Sequence, residues 1–177
     1  MLFTRTDLDG VWLIEARPVG DERGSFARTF CTDEMEHHAL ETRFVQHSLS
    51  RSTQKHTLRG LHFQKEPHQE VKLVSCLTGA IWDVAVDLRP QSPTYGRWTA
   101  AELSADNMRQ LYIPQGFAHG FLSLTEDAAV GYLISTRYAP EAASGARYDD
   151  PAFAIGWPAK PAVISDKDRA WPLLNHV

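Results

Sequence analysis

Cysteine is nearly absent from this chain: Cys31 and Cys76 are the only two among 177 residues. Two thiols cannot build the disulfide framework of a small secreted domain, so both read as buried thiols in a reducing compartment. Excess positive charge is absent too. A net charge of -4 excludes the broad basic face that nucleic acid requires, while leaving room for a local cationic pocket around a small anionic ligand. No apolar run approaches the length of a membrane span. The start, Met1-Leu2-Phe3-Thr4-Arg5, lacks the apolar centre of a signal peptide. The expectation is a cytosolic protein without nucleic-acid or membrane partners. Glycine-rich phosphate loops of the common types are missing, as is a Gly-x-Ser-x-Gly elbow, and neither cysteine lies in a reactive motif.

The composition that remains is ordinary for a globular domain, with 43% apolar and 23% charged residues. The length suits one domain spanning 1–177 with a full core. The hydrophobic pattern has period two along most of the chain, the signature of strands. Strands are expected over Val11–Arg17, Ser25–Phe30, Phe44–Arg51, Thr57–Gln64, Val71–Leu77 and Ala80–Leu88. The series continues over Trp98–Leu103, Gln110–Ile113, Phe117–Leu124 and Val130–Arg137. Gly20–Gly24 reads as a turn, and Thr78-Gly79 as the turn of a hairpin. Thr32–Leu40 reads as one short helix capped by Thr32 or Asp33. After Tyr138-Ala139-Pro140 the chain becomes rich in Pro, Asp and Ala, which suggests loops and helical turns wrapped on the domain. Many short strands between Gly and Pro turns indicate an all-β fold, a jelly-roll β-sandwich with short peripheral helices.

Two clusters carry chemistry. The first is Arg59-Gly60-Leu61-His62-Phe63-Gln64, with Lys72 ten residues beyond His62. The second is Pro114-Gln115-Gly116-Phe117-Ala118-His119-Gly120-Phe121, followed by Tyr132. Alternate residues of a strand share a face. If these faces line one interior, then His62, Lys72, His119 and Tyr132 converge. A base, a fixed cation and a phenol are the parts needed to move a proton beside a carbonyl. Lys72 lies in the apolar run Val71, Leu73, Val74. An ammonium buried there needs an anionic partner, either a ligand or a carboxylate. Metal chemistry is the competitor, because Pro114-x-Gly116-x-x-His119 resembles the second half-motif of metal-binding cupins. The first half of that motif requires a second histidine where Gln64 stands, and two histidines fall short of a catalytic site.

Taken together these motifs resemble the dTDP-4-dehydrorhamnose 3,5-epimerase family, a metal-free cupin group, over nearly the whole chain. The matching pieces include Asp21-x-Arg23-Gly24-x-Phe26, Arg59–Gln64, Lys72-Leu73-Val74 and Asp83–Arg89. They continue with Ser92-Pro93-Thr94-Tyr95-Gly96, Ile113–Phe121, Trp157-Pro158 and Ser165-x-Lys167-Asp168. The resemblance implies a homodimer that uses no cofactor and acts on a nucleotide-diphosphate 4-ketosugar. It makes His62 the base, oriented by Asp168, and Tyr132 the acid on the opposite sugar face. Lys72 would steady the enolate oxygen. Arg59 and His119 would hold substrate, Arg59 near the diphosphate. Gln46 would help hold the nucleotide and Tyr138 would stack near it, while Arg23 and Phe26 would reach it from the neighbouring subunit.

Three positions depart from the family pattern. Arg28 stands where Glu is usual, Ser48 where Asn is usual, and Glu70 where Gln is usual. All three are expected near substrate, so the nucleotide base and the sugar stay open, as does the choice of carbon 3, carbon 5 or both. The competing readings are a metal-dependent cupin oxygenase or isomerase and a noncatalytic sugar-nucleotide-binding module.

Overall fold

The computed structural model describes residues 1–174, so the last three residues of the expected 1–177 domain lie outside it. The strands are β1 (Leu2–Arg5), β2 (Trp12–Glu15), β3 (Val19–Asp21), β4 (Gly24–Phe26), β5 (Gln46–Ser52), β6 (Thr57–Gln64) and β7 (Lys72–Thr78). They continue as β8 (Ala80–Asp87), β9 (Trp98–Ser104), β10 (Arg109–Ile113), β11 (Phe117–Ser123), β12 (Ala128–Ile134), β13 (Ala143–Gly145) and β14 (Val163–Ile164). Two short helices, α1 (Thr32–His37) and α2 (Asp166–Arg169), complete the elements.

One sheet runs β1-β2-β10-β7-β12-β5 and the other β13-β6-β11-β8-β9, with β14 beside β6. The inward residues of both, among them Val74, Ile81, Ala85, Leu111, Phe121 and Val130, form one buried cluster. This is the expected cupin-type jelly-roll sandwich, two sheets sharing a core made of alternate strand residues.

The connections correct the sequence reading. No hairpin forms around Thr78-Gly79, because β7 pairs with β10 and β12 while β8 pairs with β9 and β11. The chain changes sheet there, so Val74 and Cys76 face Ile81 and Ala85 across the core. Gly79 sits at φ +71°, and a Cβ on it would lie 2.1 Å from the Thr125 hydroxyl. That hydroxyl accepts the Ala80 N–H at 3.1 Å, which ties this corner to the loop between β11 and β12. That loop is a second change of sheet and not a hairpin turn.

Local boundaries differ as well. The expected strand Ser25–Phe30 stops at Phe26, because β4 pairs only with β3 in a separate exposed ribbon. The helix ends at His37 instead of Leu40, with Ala39 at positive φ. Its N-cap is Cys31, which makes no side-chain capping bond, so neither Thr32 nor Asp33 caps it. Asp33 and Glu34 in its first turn still suit the helix dipole. The short strands β1, β13 and β14 have too few residues to show a period. The Asp87–Arg89 turn is held by a carboxylate that accepts bonds from Arg89, Ser92 and Thr94. Burial opposes its ionisation, but these donors win and hold Asp87 down at about 2.

Candidate active site

Strand β6 carries Arg59, His62 and Gln64, and its neighbour β11 carries His119 directly across from His62. In the facing sheet β7 opens with Lys72, and β12 carries Tyr132 opposite Val74. Two connected hollows lie between these strands. The larger, about 580 Å³, is lined by Arg59, His62, Lys72, His119, Tyr132 and Asp168. The smaller, about 240 Å³, is lined by Gln46, His62, Glu70, Lys72, Tyr138 and Trp171. His62, Lys72, Ile134 and Lys167 border both. His62, Lys72, His119 and Tyr132, expected to converge, line one hollow.

His62 is half-exposed, and its Nε2 lies 2.7 Å from Asp168 Oδ1. Asp168 is presented by α2, whose N-cap Ser165 accepts the Asp168 N–H at 3.1 Å. Asp168 Oδ2 takes the Gly60 N–H at 3.2 Å, and Oδ1 also takes the Trp171 indole N–H at 3.2 Å. Gly60 runs at φ +134° against Gly120, where a Cβ would meet the Gly120 Cα at 2.5 Å, so only glycine lets these strands approach. Burial by itself would raise the Asp168 carboxyl. The bond and attraction from His62, joined by the Gly60 and Trp171 donors, outweigh it and hold the carboxyl below its usual value. A carboxylate fixed on Nε2–H leaves the lone pair of a neutral imidazole at Nδ1.

Lys72 has the anionic partner that its sequence setting demanded. Its Nζ is 3.0 Å from Glu70 Oε1, and it donates to the His62 carbonyl at 3.3 Å. Tyr132 packs its ring edge to face with His119 at 5.9 Å between centroids. Burial first, then the Asp83 charge, pushes its phenol well above the ordinary value, against a smaller opposing pull from Arg59. His119 is buried, and its Nε2 meets Asp83 Oδ1 at 2.7 Å. Arg59 is steadied through Nη2 on the Arg51 carbonyl at 2.7 Å and Nε on the Ser52 hydroxyl at 3.2 Å.

At the outer hollow, Gln46 Oε1 accepts the Tyr138 N–H, and the Tyr138 side chain stays exposed. Gln64 does structural work. It accepts the Ala139 N–H at 2.7 Å and donates to the His68 carbonyl at 2.8 Å, pinning two loops at the rim. Arg23 and Phe26 are not brought to either hollow. They sit on the β3–β4 ribbon, where Arg23 pairs with Asp21 and Phe26 is 81% exposed. Of the departures, Ser48 lines the larger hollow opposite Tyr132, Glu70 the smaller, and Arg28 lies on neither, paired with Glu34 at 3.2 Å.

Asp83, Lys167 and Trp171 had no role in the sequence reading, and Glu70 entered it only as a departure from the family pattern. Asp83 carried a usable signal, since a carboxylate in the apolar run Trp82–Val86 needs a partner as much as Lys72 does. Among the described residues no group of three or more His, Cys, Asp or Glu side chains is placed to hold a metal ion. No helix among them is long and apolar enough to cross a membrane.

Comparison with known proteins gives a consistent picture. The family model described as dTDP-4-dehydrorhamnose 3,5-epimerase matches residues 5–176. A dTDP-4-dehydrorhamnose 3,5-epimerase of Methanothermobacter thermautotrophicus is 48% identical over 177 residues, covering 98% of this chain and 95% of that protein. The crystal structure of the Bacillus anthracis enzyme with TDP and PPi bound superposes with a TM-score of 0.95 at 42% identity, over 98% of this chain and 99% of that one. The Legionella pneumophila dTDP-6-deoxy-D-glucose-3,5-epimerase, in complex with dTDP-4-keto-L-rhamnose, gives 0.94 at 43% identity, over 99% and 94%.

Proposed function

The chain belongs to the dTDP-4-dehydrorhamnose 3,5-epimerase family, and from that premise we propose that it inverts carbon 3 and carbon 5 of a dTDP-linked 4-keto-6-deoxyhexose through proton transfers at His62 and Tyr132. It is an isomerase of the nucleotide-sugar type, acting in deoxysugar biosynthesis. A carbon beside a ketone is a weak acid, and its deprotonation places negative charge on the ketone oxygen. His62, with Asp168 fixing its Nε2–H, takes the proton at Nδ1. Lys72 offers a preorganised cation at the enolate oxygen. Tyr132, protonated at neutral pH like any ordinary tyrosine, delivers a proton from the opposite face of the ring. Each well-placed acid or base contributes about 10²–10⁴-fold in rate.

The observation that carries this reading is the sharing of one chamber by the His62–Asp168 pair, Lys72 and Tyr132. Arg59, His119 and Lys167 line the same chamber and suit the diphosphate and the sugar, with Gln46 and Tyr138 nearer the nucleotide. The protein works as a homodimer, in which Arg23 and Phe26 of one ribbon close the nucleotide site of the other subunit. The support for that is an aromatic side chain and a guanidinium displayed on an exposed two-stranded ribbon. Unpaired Cys31 and Cys76 suit a reducing cytosol.

The test separates base from acid. His62→Ala abolishes deuterium exchange at both carbons. Tyr132→Phe retains exchange from the His62 face while losing inversion. Full inversion by Tyr132→Phe would remove its assigned role.

A further inference from the structure

Trp171 has no part in the mechanism above, yet it touches the pair at its centre. Its indole N–H donates to Asp168 Oδ1 at 3.2 Å, the same oxygen that lies 2.7 Å from His62 Nε2. The other oxygen accepts the Gly60 N–H at 3.2 Å. One carboxylate oxygen is thus divided between an imidazole and an indole. The indole ring also stands edge to face with His62, at 6.4 Å between centroids.

The indole occupies a fitted seat. Gly145 lies directly across from His62 where β13 pairs with β6. A Cβ at Gly145 would fall 2.3 Å from Trp171 Cε2 and 2.5 Å from its Nε1, so the bare glycine makes the room that the ring fills. Lys167 holds its ammonium over the ring, 5.2 Å from the centroid, and this cation–π contact steadies it. Both contacts keep the indole N–H aimed at Asp168.

An imidazole whose N–H meets an undivided carboxylate is held strongly in its protonated form. A general base must instead be neutral when substrate arrives. A second donor on the same oxygen draws negative charge away from the imidazole and weakens that hold. It leaves intact the bond that fixes the tautomer. Resting on the epimerase reading, we infer that Trp171 is a positioning residue that fixes Asp168 and tempers the basicity of His62 by sharing the Asp168 oxygen with it.

The test is Trp171→Phe, which keeps a ring in the seat and removes the N–H. Arg59, Lys72, His119, Tyr132, Lys167 and Asp168 are the other charged or titratable groups lining the larger hollow with His62, and Glu70 lines the smaller one. None of them is altered. The readout is deuterium entry into dTDP-4-keto-6-deoxyglucose as a function of pH. With Asp168 undivided, the acidic limb of the profile moves up by about 0.5–1 pH unit. On that limb the variant is slower by about 3- to 10-fold, and the two enzymes converge as pH rises above it. An equal loss at every pH would reduce Trp171 to packing and overturn the inference, as would superimposable profiles. A second readout does not depend on activity or on the variant. In the isotope-labelled, unsubstituted protein, the NMR signal of the Trp171 indole N–H should shift with the same pH midpoint as exchange. A signal fixed across that range would overturn the coupling to the His62–Asp168 pair. Failure of the unsubstituted enzyme to exchange would strike the epimerase reading, while the indole signal would still decide whether Trp171 senses the pair.

Discussion

Replacing Asp168 by Asn leaves the shape of α2 unchanged and removes one charge. The carboxylate now serves three donors: His62 Nε2–H, the Gly60 N–H and the Trp171 indole N–H. An amide has a single oxygen, so it cannot accept all three. If its NH₂ turns to His62 Nε2, the imidazole proton moves to Nδ1 and no lone pair faces the sugar. Loss of the base in its working tautomer lowers exchange by about 10²–10⁴-fold. Loss of a hydrogen bond to a buried carboxylate lowers stability by about 1.5–3 kcal/mol at pH 7. The stability term carries a pH signature. The folded carboxyl lies below its ordinary value, so the folded state releases its proton more readily than the unfolded chain. Its stabilisation is complete above the ordinary value of about 3.9 and disappears as pH falls through the lowered folded value. Denaturant midpoints of the two proteins should therefore differ at pH 7 and converge under more acid conditions. Exchange rates followed by NMR in deuterium oxide supply the catalytic half. An Asp168→Asn enzyme exchanging at the original rate would refute the orienting role of the carboxylate.

Other perturbations follow from the same geometry. Lys72→Met leaves Glu70 buried without its counter-charge, which should destabilise the protein by about 3–5 kcal/mol by chemical denaturation. Adding Glu70→Gln to it should restore most of that loss, and a purely additive double mutant would show the pair to be uncoupled. Asp83→Ala removes the partner of buried His119 and should lower stability by about 1–3 kcal/mol. An unchanged denaturant midpoint would show that His119 finds another partner. Phe26→Ala should raise KM for the nucleotide sugar while leaving the fold intact, if the exposed ribbon serves a second subunit. Unchanged KM, or a monomer by sedimentation, would contradict that arrangement.

Trp12–Glu15 was legible because burial alternates along it, and Phe117–Ser123, buried throughout, was legible as a short apolar run between the turn residues Pro114–Gly116 and Thr125–Asp127. The sheet to which each strand belongs was not. Thr78-Gly79 has the residues of a tight hairpin turn, yet the chain uses Gly79 to change sheets, because packing Val74 and Cys76 against Ile81 and Ala85 closes the core. Lys72 was legible as a site residue because an ammonium in an apolar strand needs an explanation. Its partner Glu70, two residues away, was noted only as a departure from pattern. The contact between His62 and Asp168 joins positions 106 residues apart. Local pattern holds no information about such a pair, and family resemblance supplied what periodicity could not.

The most direct measurement is incubation of the unsubstituted protein with dTDP-4-keto-6-deoxyglucose in deuterium oxide, with the sugar protons followed by NMR. The expected result is loss of the carbon-3 and carbon-5 signals together with appearance of the inverted sugar. A folded protein that binds dTDP but admits no deuterium at either carbon would contradict proton transfer at His62 and Tyr132.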